Sequence, residues 1–278
     1  MDSEYDRALK AYDDAINSII NDPNSLYVSH TSAWEEVWSK NGFVMVADGQ
    51  YGDVNSESFK LAQRLYSSFY NLYASIPYTS TADVAFYGLG PAGLAYGGLK
   101  SEYFNSTQTI LNRNMHISEA YGGHLMYHQE LWILPLISMF SYDMSKHLIS
   151  SRVRRGLNVE MSSSVYDQAR ENAKNEGFDG VRYAWEQGDF GVEVSPFQDA
   201  KKGKIHTSAD VSFGIRSYLR MSLSREFLSQ SVSNEVSVRG EDLINEIAKY
   251  WAGRMKYNPS IDRYEINGNL QNNCFLKS

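Results

Sequence analysis

The segment from Tyr183 to Pro196, Tyr-Ala-Trp-Glu-Gln-Gly-Asp-Phe-Gly-Val-Glu-Val-Ser-Pro, holds the residue types with the clearest chemistry in the chain. An indole, Trp185, stands beside a carboxylate, Glu186. Asp189 and Glu193 follow, with Gly188 and Gly191 threaded between them. Aromatic faces stack on the apolar face of a pyranose, carboxylates accept from ring hydroxyls, and glycines let the backbone come close to a ligand. The same composition also suits an ordinary polar loop between helices, so other parts of the chain have to decide.

His124-Leu125-Met126-Tyr127-His128 sets two imidazoles four residues apart, a spacing that on a helix puts both on one face. The metalloprotease signature requires Glu directly after the first His, where this chain has Leu125. Two hydrogen-bonding histidines on a pocket wall are the better expectation, and no metal or other cofactor is expected. No Gly-x-Ser-x-Gly elbow supports a hydrolase triad. Gly88-Leu89-Gly90-Pro91-Ala92-Gly93 matches G-x-G-x-x-G in form, but more glycine loop follows it instead of a helix. A loop whose backbone passes close to something is expected there. Arg152, Arg154 and Arg155 read as a solvated helix end.

The elements that must position these residues read as helices. Residues 3–21 place Tyr5, Leu9, Tyr12, Ile16 and Ile19 on one face, and a second helix begins near residue 31 with Trp34 and Trp38 as core indoles. Residues 56–76 form a buried amphipathic helix stopped by Pro77, and 99–121 read as an irregular insertion. The apolar run Leu131–Phe140 continues helically to Ser150 as a helix buried on every side. Further helices are expected over 162–176, capped by Gly177, over 207–228, capped by Thr207 or Ser208 with Leu219 and Leu223 inward, and over 237–257 with Met255 inward. No two convincing parallel strands remain, so the class is all-α.

The totals exclude some functions. A net charge of −7 offers no basic footprint for nucleic acid. The longest apolar block is too short for a bilayer and is broken by Pro135, so no membrane partner is expected. The single cysteine, Cys274, suits a reducing compartment, and the acidic N-terminus lacks a signal-peptide run. A cytoplasmic protein is the expectation.

Several pieces then fall into one order. They are Ala33-Trp34-x-x-Val37-Trp38, Gly88-Leu89-x-Pro91-x-Gly93-Leu94-Ala95-Tyr96-Gly97, Gly123-His124, Glu130-Leu131-Trp132, Ala184-Trp185-Glu186 and Gly191-x-Glu193-Val194-x-Pro196, followed by Ile205-His206-x-x-x-Asp210-Val211 and Tyr250-Trp251-x-x-Arg254 with Tyr264-Glu265-Ile266-x-Gly268. Over residues 5–268 this order resembles glycoside hydrolase family 65, nearest its animal glucosidases acting on the glucosyl-galactosyl-hydroxylysine of collagen, with acid trehalases next.

The resemblance implies a six-hairpin (α/α)6 toroid, here partial and incomplete at the C-terminus. It further implies inverting attack on an α-glucosidic bond, which needs one carboxyl as acid and another as base. Residues 1–29 are then a helical lead-in, 30–268 the N-terminal part of the catalytic domain, and 269–278 a divergent tail. The implied substrate is an α-glucoside such as a collagen-derived disaccharide. Trp185 and Glu186 match the pair that contacts the non-reducing glucose, with Tyr127, His128, Glu193 and His206 as further substrate-binding candidates. Two departures stand out. The family's Trp-Asp, whose Asp grips glucose hydroxyls, is Tyr127-His128 here, and the Gly-Pro-Asp-Glu segment with the general acid is replaced by Asn269-Leu270-Gln271-Asn272. No catalytic carboxyl is therefore assigned. An α-glucosidase truncated before its acid is the first expectation, an inactive carbohydrate-binding or interaction remnant the second, and a trehalase or disaccharide phosphorylase relative the third.

Overall fold

The computed structural model describes residues 2–42, 44–46, 53–76, 86, 88–90, 124–155, 163–188, 190–195 and 204–266. These residues are mostly helical, and their only strands form two short antiparallel ribbons. The chain divides into two compact units, Met1–Met45 and Val46–Ser278. No helix among the described residues is long and apolar enough to cross a membrane.

The first unit contains helix α1 (Asp2–Asn21) and helix α2 (Ser25–Lys40), which pack on each other. The second helix starts six residues before the expected position, and none of its residues is buried. Trp34 and Trp38 stack at 6.2 Å between ring centroids, but both remain half-buried rather than forming a core. The apolar stripe of α1 is likewise open to solvent at Leu9, Tyr12 and Ile16.

The second unit opens with α3 (Glu57–Ser75), where Ser56 accepts from the Phe59 amide and sets the helix start. Only Phe69 and Tyr73 of this helix are buried, so its aromatic stripe is core at one end and exposed at Phe59. Strand β1 (Leu125–Met126) leads into a π-helical turn over Gln129–Ile133, then α4 (Leu134–Ser138) and α5 (Tyr142–Ser150). Pro135 lacks the N–H that an α-helix would direct at the Leu131 carbonyl, and the widened turn falls just before it.

This stretch corrects the expectation of one helix buried on every side. Ser141 takes an extended conformation and accepts from the Met144 amide, which ends the first helix and caps the second. Trp132 is 68% exposed and Met139 54%, so one face of the run points to solvent while Leu134, Ile137, Met144 and Leu148 fill the core.

Helix α6 (Val165–Asn175) starts with a complete capping box between Ser164 and Asp167 and buries Val165, Ala169 and Ala173 as its spacing predicts. Gly177, at φ +80°, follows its C-terminus. Strand β2 (Glu186–Gln187) pairs with β1, matching Leu125 to Gln187 and Met126 to Glu186.

Helix α7 (Thr207–Ser222) is the element the others share, packing on the π-helical turn, α4, α5 and α9 (Gly240–Arg254). It packs tightly at Gly214, where a Cβ would lie 2.7 Å from a Leu134 methyl and 3.2 Å from the Glu130 side chain. The helix ends earlier than expected. Leu223 adopts a left-handed conformation and is exposed, and a separate short helix, α8 (Glu226–Ser229), follows. Thr207 and Ser208 do not cap α7 through their side chains: both are buried in its first turn. The last helix also stops short, because Met255 begins a ribbon of β3 (Met255–Asn258) and β4 (Arg263–Ile266) and is exposed there.

Candidate functional site

The β1–β2 ribbon brings the residues on either side of it together. His124, just before β1, places Nδ1 2.8 Å from Oε1 of Glu186 in β2. The Glu186 side chain is only 5% exposed, and its other oxygen, Oε2, is buried without a hydrogen-bond partner among the described residues. A buried carboxylate oxygen left this way costs free energy, which a ligand hydroxyl at that position would recover.

Glu193 shapes the segment from within. Its Oε2 accepts from the Trp185 amide at 2.7 Å, and its Oε1 accepts from the amides of Glu186 at 3.1 Å and Ser195 at 3.2 Å. Its carboxylate therefore holds the Trp185-Glu186 backbone in place. The amide of Gly188 closes the same turn by donating to the Val192 carbonyl. At the other end, the Ser208 hydroxyl accepts from the Tyr183 amide at 3.0 Å and donates to the Val181 carbonyl at 3.2 Å, mooring the segment to the start of α7.

A second group lies across the turn after β1. Tyr127 and His128 stack at 4.1 Å between centroids, and His206 meets Tyr127 edge-on at 4.9 Å. His206 Nδ1 is 2.6 Å from Oδ2 of Asp210, one helical turn on. His128 Nδ1 is buried without a hydrogen bond among the described residues. Burial chiefly pulls the His128 pKa below the usual histidine value, with nearby His206 acting the same way and Glu130 and Asp210 opposing. The Lys204 ammonium lies 6.0 Å from the Trp185 ring centroid.

Of the six candidates, Tyr127, His128 and His206 form one cluster, while Trp185, Glu186 and Glu193 form one turn. Asp189 lies outside the described residues. His124 and His128 do not share a helix face, because β1 separates them. Among the described residues no group of three or more His, Cys, Asp or Glu side chains could hold a metal ion.

Beneath both groups is a polar centre that residue types alone did not announce. Arg152 is fully buried, and this corrects the reading of Arg152, Arg154 and Arg155 as a solvated helix end. Its Nε and Nη2 form a fork onto the two oxygens of Glu130 at 2.9 and 2.8 Å, and its Nη1 donates to Oε1 of Gln187 at 2.8 Å. Gln129 joins by donating to Glu130 at 2.9 Å and to the Leu148 carbonyl at 3.0 Å. Arg154 is also buried, and the Arg155 amide donates to Glu235. The one signal for this centre was Gln129-Glu130 placed directly ahead of an apolar run.

At Gly88 and Leu89 the chain passes close to this centre. The Leu89 amide donates to Gln129 Oε1 at 2.9 Å, and a Cβ on Gly88 would stand 2.7 Å from the Leu125 side chain. Gly88 also has φ +93°, which only glycine adopts freely.

The family model of the glycosyl hydrolase family 65 central catalytic domain matches residues 105–275, well over half of the chain. The protein-glucosylgalactosylhydroxylysine glucosidase of Gallus gallus is 26% identical over 244 residues, covering 88% of this chain and 28% of the relative. Its Mus musculus counterpart is 23% identical, covering 87% and 29%. The kojibiose phosphorylase of Halothermothrix orenii is 30% identical over 161 residues, covering 53% and 18%. The chain thus spans less than a third of the length of these relatives. The match covers both the turn that presents Glu186 and the buried centre beneath it, and the chain belongs to glycosyl hydrolase family 65.

Proposed function

We propose that the site formed by Trp185, Glu186, Tyr127, His128 and His206 binds the non-reducing glucose of an α-glucoside, as part of a partial (α/α)6 toroid spanning residues 30–268. The observation that carries this reading is Glu186, next in sequence to Trp185, with one oxygen held by His124 and the other buried without a hydrogen-bond partner among the described residues. A sugar hydroxyl supplies the missing donor, and the indole supplies the stacking face. The glucosidase relatives cover most of the chain and the phosphorylase relative about half, which favours a disaccharide on hydroxylysine over a phosphorolysis substrate.

One observation favours binding without bond cleavage as the second reading. Inversion needs two carboxyls. Among the described residues at the site, both Glu130 oxygens are taken by Arg152, Glu193 accepts from three amides and Asp210 pairs through Oδ2 with His206, so no two carboxyls stand free of structural partners.

Calorimetric titration with glucosyl-galactosyl-hydroxylysine, kojibiose and trehalose tests the proposal. Saturable binding that Glu186→Gln weakens about tenfold or more is expected, as for loss of a hydrogen bond to a charged group. Absence of binding by all three sugars overturns it. Glucose release by the wild-type protein would then separate the hydrolase from the binding reading.

A further inference from the structure

Glu186 and the Tyr127–His128 pair sit on separate backbone segments, yet one buried side chain bonds to a close neighbour of each. Arg152, at the end of α5, grips Glu130 with a two-pronged fork, and Glu130 lies two residues after His128. Its remaining guanidinium nitrogen, Nη1, bonds to Gln187, the neighbour of Glu186 in β2. Gln187 also donates to the Ser151 carbonyl at 3.3 Å, so β2 is attached to the end of α5 twice. β2 itself is two residues long: it pairs with the equally short β1, and Gln187 is bridged to Glu193, with the Val194 amide donating to the Glu186 carbonyl at 3.1 Å. Glu193 holds the backbone of this strand from one side, and the Gln187 contacts hold it from the other.

Successive side chains of a strand point to opposite faces. Gln187 therefore reaches inward to Arg152 while Glu186 reaches toward His124. We propose that Arg152 is a positioning residue for the sugar site: through Gln187 it fixes the orientation of β2, and so sets the Glu186 carboxylate against His124 through Oε1, with Oε2 left unpaired. The planar guanidinium suits this role, since it presents donors in fixed directions to a carboxylate and an amide together. This inference rests on Glu186 being the residue that faces the ligand.

The test reads the His124–Glu186 contact directly and needs no sugar. The 15N resonance of His124 Nδ1 reports its hydrogen bond, so spectra are recorded for the wild type, Glu186→Gln and Gln187→Met. Gln187→Met cuts the link between Arg152 and β2 but leaves the Arg152–Glu130 pair in place. The expected result is that Glu186→Gln shifts the His124 resonance and that Gln187→Met produces most of the same shift, while the amide spectrum of α7 stays that of the folded wild type. Arg152→Met is the second variant, with the same expected shift.

A His124 signal in Gln187→Met identical to the wild type overturns the proposal. So does a wild-type signal already identical to that of Glu186→Gln, because the contact being positioned would then not exist. Sugar titration of the same samples is read separately. A protein that binds no sugar but shows the expected His124 shifts sinks the binding reading and keeps the positioning role, whereas sugar binding equal in Gln187→Met and wild type sinks the positioning role alone.

Discussion

The N-terminal helical pair and the centre around Arg152 invert the usual expectation about which side chains lie inside. In α1, a regular apolar stripe at helical spacing is exposed at Leu9, Tyr12, Ile16 and Ile20. Around Arg152, five polar or charged side chains, Gln129, Glu130, Ser151, Arg152 and Gln187, are buried almost completely. Periodicity states that a segment can form a helix with an apolar face, but not that anything covers that face. Burial of polar groups is tolerated only where each finds a partner, and the Arg152 centre meets that condition nearly atom by atom.

The sharpest way to break this contrast is to remove one member of the buried pair. Arg152→Met leaves the Glu130 carboxylate buried without its counter-ion, and a loss of about 3–5 kcal/mol is expected in urea unfolding. A loss below about 1 kcal/mol would show that the centre is hydrated in solution. Next in size is an apolar truncation beside it: Leu148→Ala, at a fully buried position of α5, is expected to cost about 2–5 kcal/mol.

A smaller effect comes from the histidines. Burial lowers the pKa of both His128 and His147, so the folded state resists their protonation. Their contribution is neutral above the unfolded histidine value of about 6.5, and the unfolded state binds more protons as the pH falls through the window below it. Stability should therefore fall on acidification from about pH 7.5 to about pH 5.5, with a shallower slope in His128→Asn and in His147→Asn. Equal slopes in all three proteins would rule out this source. The smallest effect is expected in the other region, where Leu9→Ala in α1 should change stability by no more than about 0.5 kcal/mol. A larger loss would mean that the α1 stripe is covered in solution.

Much of the helical order was legible because it depends on local rules. The spans near 3–21, 56–76 and 162–176 were placed to within a few residues, and the inward set Val165, Ala169 and Ala173 was read from spacing alone. The misreadings share one cause: the competing signal was tertiary or too short to register. Ser141 divides an apolar run that looked continuous, Leu223 and Met255 continue a helical period past the actual helix ends, and Thr207 and Ser208 have cap-type side chains that are buried instead. The geometry of the proposed site was legible only as residue types. Trp185 and Glu186 could be singled out by type, but the partnership of Glu186 with His124, 62 residues away in sequence, could not.

The sequence by itself determined the helical class, the family and the segment that carries Trp185 and Glu186, because these depend on spacing, residue type and ordered motifs. Only the tertiary structure decided that three arginines read as a helix end include a fully buried one, and that Glu193 serves the backbone while Glu186 keeps a buried oxygen without a partner among the described residues. The physical reason is that a charge's role depends on what surrounds it after folding. A guanidinium in water and one locked between Glu130 and Gln187 are the same letter in the chain, and only desolvation and the partners at its five donors tell them apart.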